Sequence, residues 1–544
     1  MPARAKREIS LTTATTGSPA APLATSRARD VGGEPNARIL GWVAAVAIVA
    51  SVLLMIAVSV SGPSVVVPDI PRTWPVPPLW FSLQLSQVTA TTIIYAAILL
   101  GAAGVFCGLV AVRRGARPGR RLLITAAVGA GLAVAVLAVL PPAGSTDSLS
   151  YATYGRIAAI GHNPYVMTPF QLRRSGDPVG RQATRNWQND PSLYGPVAIA
   201  TDWVAAKLGG TSISYIVFWL KLLYAAAFGA IAFVLDRVLR HDAAARARAH
   251  LLWTVNPLML WAVMAGGHVD GLGSALGLVG LLLVRPTSLA PGEAGARLGP
   301  ARALAAGVLV GASAGVKIPF ALLGIALVWS TRHSIKNLGA AAAGAALVLV
   351  PGYLIAGRPA LTDLLWRGSN LVTFDSFWRL FYAKFGFSAM PAGLEPIAAV
   401  SCLAMAALLA WRLPAGPRAW PAIRPALVVT LAWLLVWPLQ RPWYDAIAFC
   451  LLAVFPASRL DWLMLIRAVP AALAVATGAG AGLGAHSVWV SRVVDFVGDS
   501  LSRDVRLAAV VAAALLCAAG AWQARREPPE NLAAQTVAPV TGGA

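Results

Sequence analysis

Charge is scarce in this chain and acidic charge scarcest: 12% of its 544 residues are charged, with 22 Asp and Glu against 44 Lys and Arg. Soluble domains carry about a quarter of their residues as charges, so a soluble globular protein is excluded. Cysteine is rare as well, and all four, Cys107, Cys402, Cys450 and Cys517, fall inside apolar runs. That placement makes them packing residues and excludes a disulfide framework. The six histidines show neither an HExxH motif nor a Cys/His spacing suited to zinc. No long polar gap interrupts the apolar runs between about residue 39 and residue 523, and no internal repeat is evident, which argues for one integral domain rather than several soluble ones.

What is abundant is apolar. Hydrophobic residues make up 58% of the chain and the mean hydropathy is +0.68. The expected architecture is an all-α polytopic membrane bundle of about 14 spans with interfacial helices in its outer loops. It occupies 39–523, between polar tails at 1–38 and 524–544 that are expected to be disordered and cytoplasmic. The net charge of +22 does not signal nucleic acid, because the basic residues sit in short clusters between apolar runs. RRGARPGRR at 113–121 has five arginines in nine residues, and DRVLRHDAAARARAH at 236–250 and ARREPPE at 524–530 repeat the pattern. This alternation is the positive-inside signature of a multi-pass protein.

Parity from these clusters places the polar stretches between them on the outer face. The largest, 141–211, follows the apolar run 121–140 and contains STDSLSYATYGRIAAIGHNPYVMTP at 145–169. Helices are expected in it at 148–160 and at 192–208, the latter with Pro196 near its start. A hairpin of spans follows with GGHVDG, residues 266–271, at its tip. Lys317 and Pro319 in GVKIP predict two short helices meeting there, since proline breaks a helix and a lysine amid apolar sequence needs a polar surface or partner. Further on, Arg358, Asp363, Trp366, Arg367, Asp375, Trp378, Arg379 and Lys384 read as another interfacial lid, and QRPWYD at 440–445 as an outer loop.

Asp147, Arg156, His162, His268, Asp270, Lys317, Arg441, Trp443 and Tyr444 are thereby gathered at one mouth of the bundle. Packing against lipid needs no such cluster. A carboxylate serves as a base toward a hydroxyl, cations hold an anionic head group, and aromatic faces stack on a sugar ring. Together they suit transfer from a lipid phosphate, which is a good enough leaving group for one carboxylate to suffice. Plainer roles exist for each: helix capping for Asp147 and Asp270, snorkelling for Lys317, an interfacial anchor belt for Arg441, Trp443 and Tyr444.

The order of Asp147 with YATYGRIAAIGHNPY, then SLYGP, NPLML, GGHVDG, GVKIP and QRPWYD resembles the actinobacterial polyprenol-phosphomannose-dependent alpha-1,6-mannosyltransferases of lipomannan synthesis, of the glycosyltransferase-C superfamily, over roughly residues 40–460. The resemblance implies that Asp147 is the catalytic base and that the donor is polyprenyl-phosphate mannose. It further implies a mannan or lipoglycan acceptor met outside the plasma membrane, among membrane lipids, with inversion at the transferred sugar. Lys317, Arg441, His268, Asp270, Arg156, Trp443 and Tyr444 would then bind the donor phosphate and sugar. No cofactor is expected and no nucleic-acid partner, and no glycine pair forms a nucleotide motif. Two positions depart from the pattern. Asp147 is followed by Ser148 where many members have a second acidic residue, which weakens any claim for a metal, and the hairpin tip reads His268-Val269-Asp270 where His-Asn-Asp is expected. The rival reading is a transporter or flippase of lipid-linked sugars, which predicts helices broken near the bilayer midplane and a repeat between halves.

Overall fold

The computed structural model describes residues 35–185, 187–285, 298–362, 372–382, 391, 393–477 and 487–522. The tails expected at 1–38 and 524–544 lie outside the described residues, apart from 35–38, and so do Asp363, Trp366, Arg367 and Lys384.

Among the described residues the chain is all helical, without strands. Apolar sequence becomes helix up to the residue that caps or breaks it. The first three helices, α1 (Pro35–Val60), α2 (Gln87–Arg113) and α3 (Arg120–Val139), are long and apolar, and α2 is started by Ser86, whose side chain accepts from the Thr89 N–H. A polar excursion then carries α4 (Asp147–Ala159), α5 (Pro169–Arg174), α6 (Pro178–Arg181) and α7 (Pro196–Gly209). Thr168 and Gln171 form a capping box at α5, and Pro196 opens α7 where its missing N–H costs nothing. The helices expected in this loop at 148–160 and 192–208 correspond to α4 and α7.

Next come α8 (Ile213–Val238), α9 (Ala243–Ala249) and α10 (Pro257–Met259), the last flanked by π-helical turns at His250–Thr254 and Leu260–Ala265. The run Ala243–Ala265 bends by 118° into α11 (Asp270–Leu283) at the GGHV turn. After it, α12 (Pro300–Val316) stops at Lys317, a 3-10 turn covers Ile318–Ala321, and α13 (Leu322–Thr331) follows, which is the break that Pro319 predicts. The chain continues through α14 (Ile335–Ala356), α15 (Arg379–Tyr382), α16 (Leu394–Arg412), α17 (Ile423–Val436), α18 (Asp445–Val454), α19 (Leu460–Val475), α20 (Val488–Asp495) and α21 (Arg503–Ala518).

Among the described residues six helices are long and apolar enough to cross a membrane, seven if the bent pair is counted as one span. The other apolar helices have 10–17 residues, so length and composition do not establish the expected count of about fourteen. Lipid-facing sides are visible as exposed apolar residues such as Leu132, Leu354 and Leu403. Small residues let helices close on one another where no hydrophobic drive operates. On α12, a Cβ at Gly307 would stand 2.0 Å from the Ala341 carbonyl oxygen of α14, so the two backbones touch there.

One end of the bundle is tied by Asp461, which accepts from Arg113 and Arg248, while Arg248 also donates to the Phe455 carbonyl. The other end collects the C-termini of α1 and α3, the start of α4 and the α10–α11 turn. There Leu79 N–H donates to Val139 O, Phe81 N–H to Val60 O and Ala143 N–H to Ala265 O. The 372–382 segment, expected to be an interfacial lid, packs into the bundle instead: Asp375 is buried against Arg506 and Ser502, and the Trp378 indole donates to Val436 O. A carboxylate with a buried arginine partner has no reason to remain at the surface.

Candidate functional site

Asp147 owes its position to the loop before it. Gly144 has φ +79°, and a Cβ there would lie 2.4 Å from the Trp261 ring, so both the backbone and the space demand glycine. With Gly144 N–H donating to Val66 O, the loop delivers Thr146 as the residue before α4 and Asp147 as its first residue. A carboxylate in the first helical turn is favoured by the helix dipole. Its own N–H donates to Ser145 Oγ, and its side chain is 17% exposed, facing a cavity. Burial pushes the Asp147 carboxyl above the ordinary carboxylate range, against the opposing pull of Arg441 and Lys317.

The bend between α10 and α11 brings His268 and Asp270 beneath it. Gly267, at φ +66°, turns the chain, and the His268 ring lies flat on Trp443 with centroids 3.6 Å apart and 13° between planes. His268 Nδ1 is 3.7 Å from Asp147 Oδ2 and 3.5 Å from the Tyr151 hydroxyl. Asp270 begins α11 and accepts from Lys317 Nζ on both oxygens, at 3.2 and 3.3 Å. Lys317 reaches it because the backbone between α12 and the 3-10 turn is extended, φ −160° and ψ 138°. Its ammonium also stands 4.1 Å from the centre of the Tyr444 ring and 5.5 Å from that of Tyr194.

Arg441 precedes Pro442 in the same kind of extended break. Both sides of that loop are braced by Arg467, which donates to Gln440 and to Asp445. Arg441 itself is half-buried, with its guanidinium 6.0 Å from the centre of the Trp443 ring, and among the described residues it has no ion-pair partner.

Between these groups lies a cavity of about 840 Å³. Its polar lining comes from Ser145, Thr146, Asp147, Lys317 and Arg441, and its apolar lining includes Leu439 and Val475 together with Ile318, Leu322 and Ile325. The last three follow Lys317 at helical spacing and Ile325 is 54% exposed, so this row leads from the lysine to the exposed side of α13. Tyr194, Trp433, Trp443 and Tyr444 add aromatic surface.

Of the residues singled out in the sequence, Asp147, Lys317, Arg441, Trp443 and Tyr444 line this cavity. His268 and Asp270 are fully buried and stand behind it, in contact with Asp147 and Lys317 respectively. Arg156 is elsewhere: its guanidinium holds Asp177, at 2.9 Å, and ties α4 to the α5–α6 segment. Sequence reasoning passed over Tyr151 and Tyr194, aromatics with no distinguishing spacing, and Lys221. Lys221 carried a signal, a lysine inside an apolar run. It is buried in α8, and its ammonium donates to Leu140 O and Pro141 O, capping the end of α3. Among the described residues no group of three or more His, Cys, Asp or Glu side chains is arranged to hold a metal ion.

Residues 38–333 match the family described as alpha-(1->6)-mannopyranosyltransferase, N-terminal domain. Two relatives are similar over shorter stretches. A probable alpha-(1->6)-mannopyranosyltransferase of Mycolicibacterium smegmatis is 28% identical over 218 residues, 37% of this chain and 39% of the relative. Alpha-(1->6)-mannopyranosyltransferase A of Corynebacterium glutamicum is 26% identical over 192 residues, 35% of this chain and 36% of the relative. The match therefore spans well under half the length of either relative. No solved structure matches the chain.

Proposed function

We propose that this chain, which belongs to the alpha-(1->6)-mannopyranosyltransferase family, transfers mannose from polyprenyl-phosphate mannose to the hydroxyl of a mannan or lipomannan-type acceptor, at the outer face of the plasma membrane, forming alpha-1,6 linkages with inversion. The observation that carries the donor assignment is one cavity lined both by charged groups and by an apolar row, Ile318, Leu322 and Ile325, that forms an arm from Lys317 to the exposed side of α13. A lipid-phosphate sugar calls for both surfaces, with its sugar and anion joined to a hydrocarbon chain.

In this reading the prenyl chain follows the arm along α13. The phosphate meets Arg441, which makes no ion pair among the described residues, with Lys317 as the secondary cation because Asp270 already engages it. The sugar lies among Tyr194, Trp443 and Tyr444. Asp147 takes the proton of the acceptor hydroxyl as that oxygen forms its bond to the anomeric carbon. The bond from that carbon to the phosphate oxygen breaks, and polyprenyl phosphate leaves as an anion held by Arg441. Effective attack needs the nucleophile and base held within hydrogen-bond reach, which a carboxylate at a fixed helix start supplies. Of the two helix breaks, which a transporter would also display, the one at Lys317 lines this cavity, and the one at 266–269 is buried behind it, where it presents His268 toward Asp147.

The test is Asp147→Asn in purified full-length protein, assayed with a radiolabelled polyprenyl-phosphate mannose and an oligomannoside acceptor. Shape is kept and basicity lost, so transfer should fall about 100- to 10,000-fold with the fold intact. Near-parental turnover overturns the base assignment. Failure of the parent protein to transfer any label, together with counterflow of lipid-linked sugar in vesicles, favours the flippase reading.

A further inference from the structure

The base is not alone. Asp147 begins a helix and faces the cavity, and the local groups that act on its carboxylate are the helix dipole and the adjacent Ser145 hydroxyl. The group that reaches it from another element is His268, 1% exposed, with Nδ1 3.7 Å from Oδ2. That imidazole cannot swing away. One face is covered by Trp443, and its edge is packed on Gly266, where a Cβ would lie 2.6 Å from Nε2. Its backbone N–H donates to Val263 O, closing the turn that presents it. A ring held this firmly at both face and edge can aim a single nitrogen.

We propose that His268 is a positioning residue for Asp147: its Nδ1–H donates to Oδ2 and orients the carboxylate's other oxygen toward the acceptor hydroxyl. The role is distinct from holding the donor, because His268 does not line the cavity. The separation of 3.7 Å is longer than a hydrogen bond. Catalytic hydrogen bonds commonly shorten on the way to the transition state. The Tyr151 hydroxyl, 3.5 Å from the same nitrogen, is the other polar group beside it. The arrangement of a base oriented by a third group recurs wherever a catalytic proton acceptor must be aimed. The inference rests on Asp147 being the base.

Three variants separate the possibilities. His268→Phe keeps a flat ring on Trp443 and removes the donor. His268→Asn places an amide N–H near the position of Nδ1, and His268→Ala removes both. A charge-assisted hydrogen bond is worth about 10- to 100-fold, so His268→Phe should lower kcat by about that factor with parental KM for the lipid donor. The acidic limb of its kcat–pH profile should also move to higher pH, because the lost bond had favoured the ionised carboxylate. The charged and titratable groups that face Asp147, namely Lys317, Arg441, Asp270, Tyr151 and Tyr194, are unchanged in all three variants. His268→Asn should exceed His268→Ala in kcat, and that comparison decides the matter if the Phe variant does not fold. A His268→Phe protein with parental kcat and an unmoved acidic limb overturns the proposal, as does an Asn variant no better than Ala or a defect confined to donor KM. Activity in Asp147→Asn would overturn the base assignment itself, whereas an inactive Asp147→Asn beside an unaffected His268→Phe overturns only this inference.

Discussion

The two cavity cations should fail in different ways. Lys317 and Arg441 each stand in an extended break before a short 3-10 turn, and from sequence they look interchangeable. The structure gives Lys317 a buried carboxylate partner and a tyrosine face, and gives Arg441 neither an ion pair nor full burial. In the proposed function, truncating Arg441 to alanine removes a contact to the donor phosphate and its field at Asp147, with little effect on packing. A hydrogen bond to a charged group is worth about 1.5 to 3 kcal/mol, so donor use should weaken by about one to two decades. The loss should be the same whichever acceptor is supplied. Truncating Lys317 leaves Asp270, 2% exposed, without its partner. Breaking one side of a buried pair costs about 3 to 5 kcal/mol, a large part of the stability of a typical domain. The Lys317→Ala protein should accordingly lose thermal stability in detergent first and activity as a result. Lys317→Met combined with Asp270→Asn should recover the stability, since the buried charge is gone. Donor KM and thermal unfolding measured on the four proteins decide the point. A parental donor KM in Arg441→Ala, or a double variant as unstable as Lys317→Ala, refutes the reasoning.

Other outcomes follow from the same geometry. Because burial raises the Asp147 carboxyl above its ordinary range, transfer should be lost on acidification at a pH higher than an exposed aspartate would give, and Arg441→Ala should raise that midpoint further by removing a cation that favours the ionised form; an acidic limb at the ordinary carboxylate value, unmoved by the substitution, contradicts this. Arg156→Ala should leave donor KM unchanged and cost about 1 kcal/mol or less of stability, as for other partly exposed ion pairs, read by thermal unfolding and initial rates; a raised donor KM would return Arg156 to the site. In a protein whose four cysteines are replaced by serine, His162→Cys should react with an impermeant thiol reagent in intact cells and His333→Cys should not, since both positions are exposed and lie on opposite sides in the proposed topology; labelling at position 333 reverses the orientation of α13.

Much of this was legible before any coordinates. A carboxylate directly after an apolar run marks a membrane surface, and Pro319 two residues after Lys317 marks a break, because both signals are local. The bundle's helices, too, follow from runs of apolar sequence with Ser, Gly or Pro at their starts. The partnerships were not legible. Lys317 and Asp270 lie 47 positions apart, and their pairing depends on how α11 packs on α12. Arg156 and His268 carry the same residue types as a donor-binding group, and only their burial and neighbours show Arg156 on Asp177 and His268 on Trp443. The number of crossings was no more accessible, since α12, α13, α17 and α18 are each shorter than a full span.

Lys221 bears on how the protein is made. As α3 enters the bilayer, the carbonyls of Leu140 and Pro141 have no partner, and the lysine that will satisfy them is 80 or more positions away on α8. Each is costly to bury without the other. The α3 exit, at the threshold of α4, therefore depends on the fourth long helix, and a charge-removing change in α8 should act as an assembly defect that presents as loss of activity without touching the cavity.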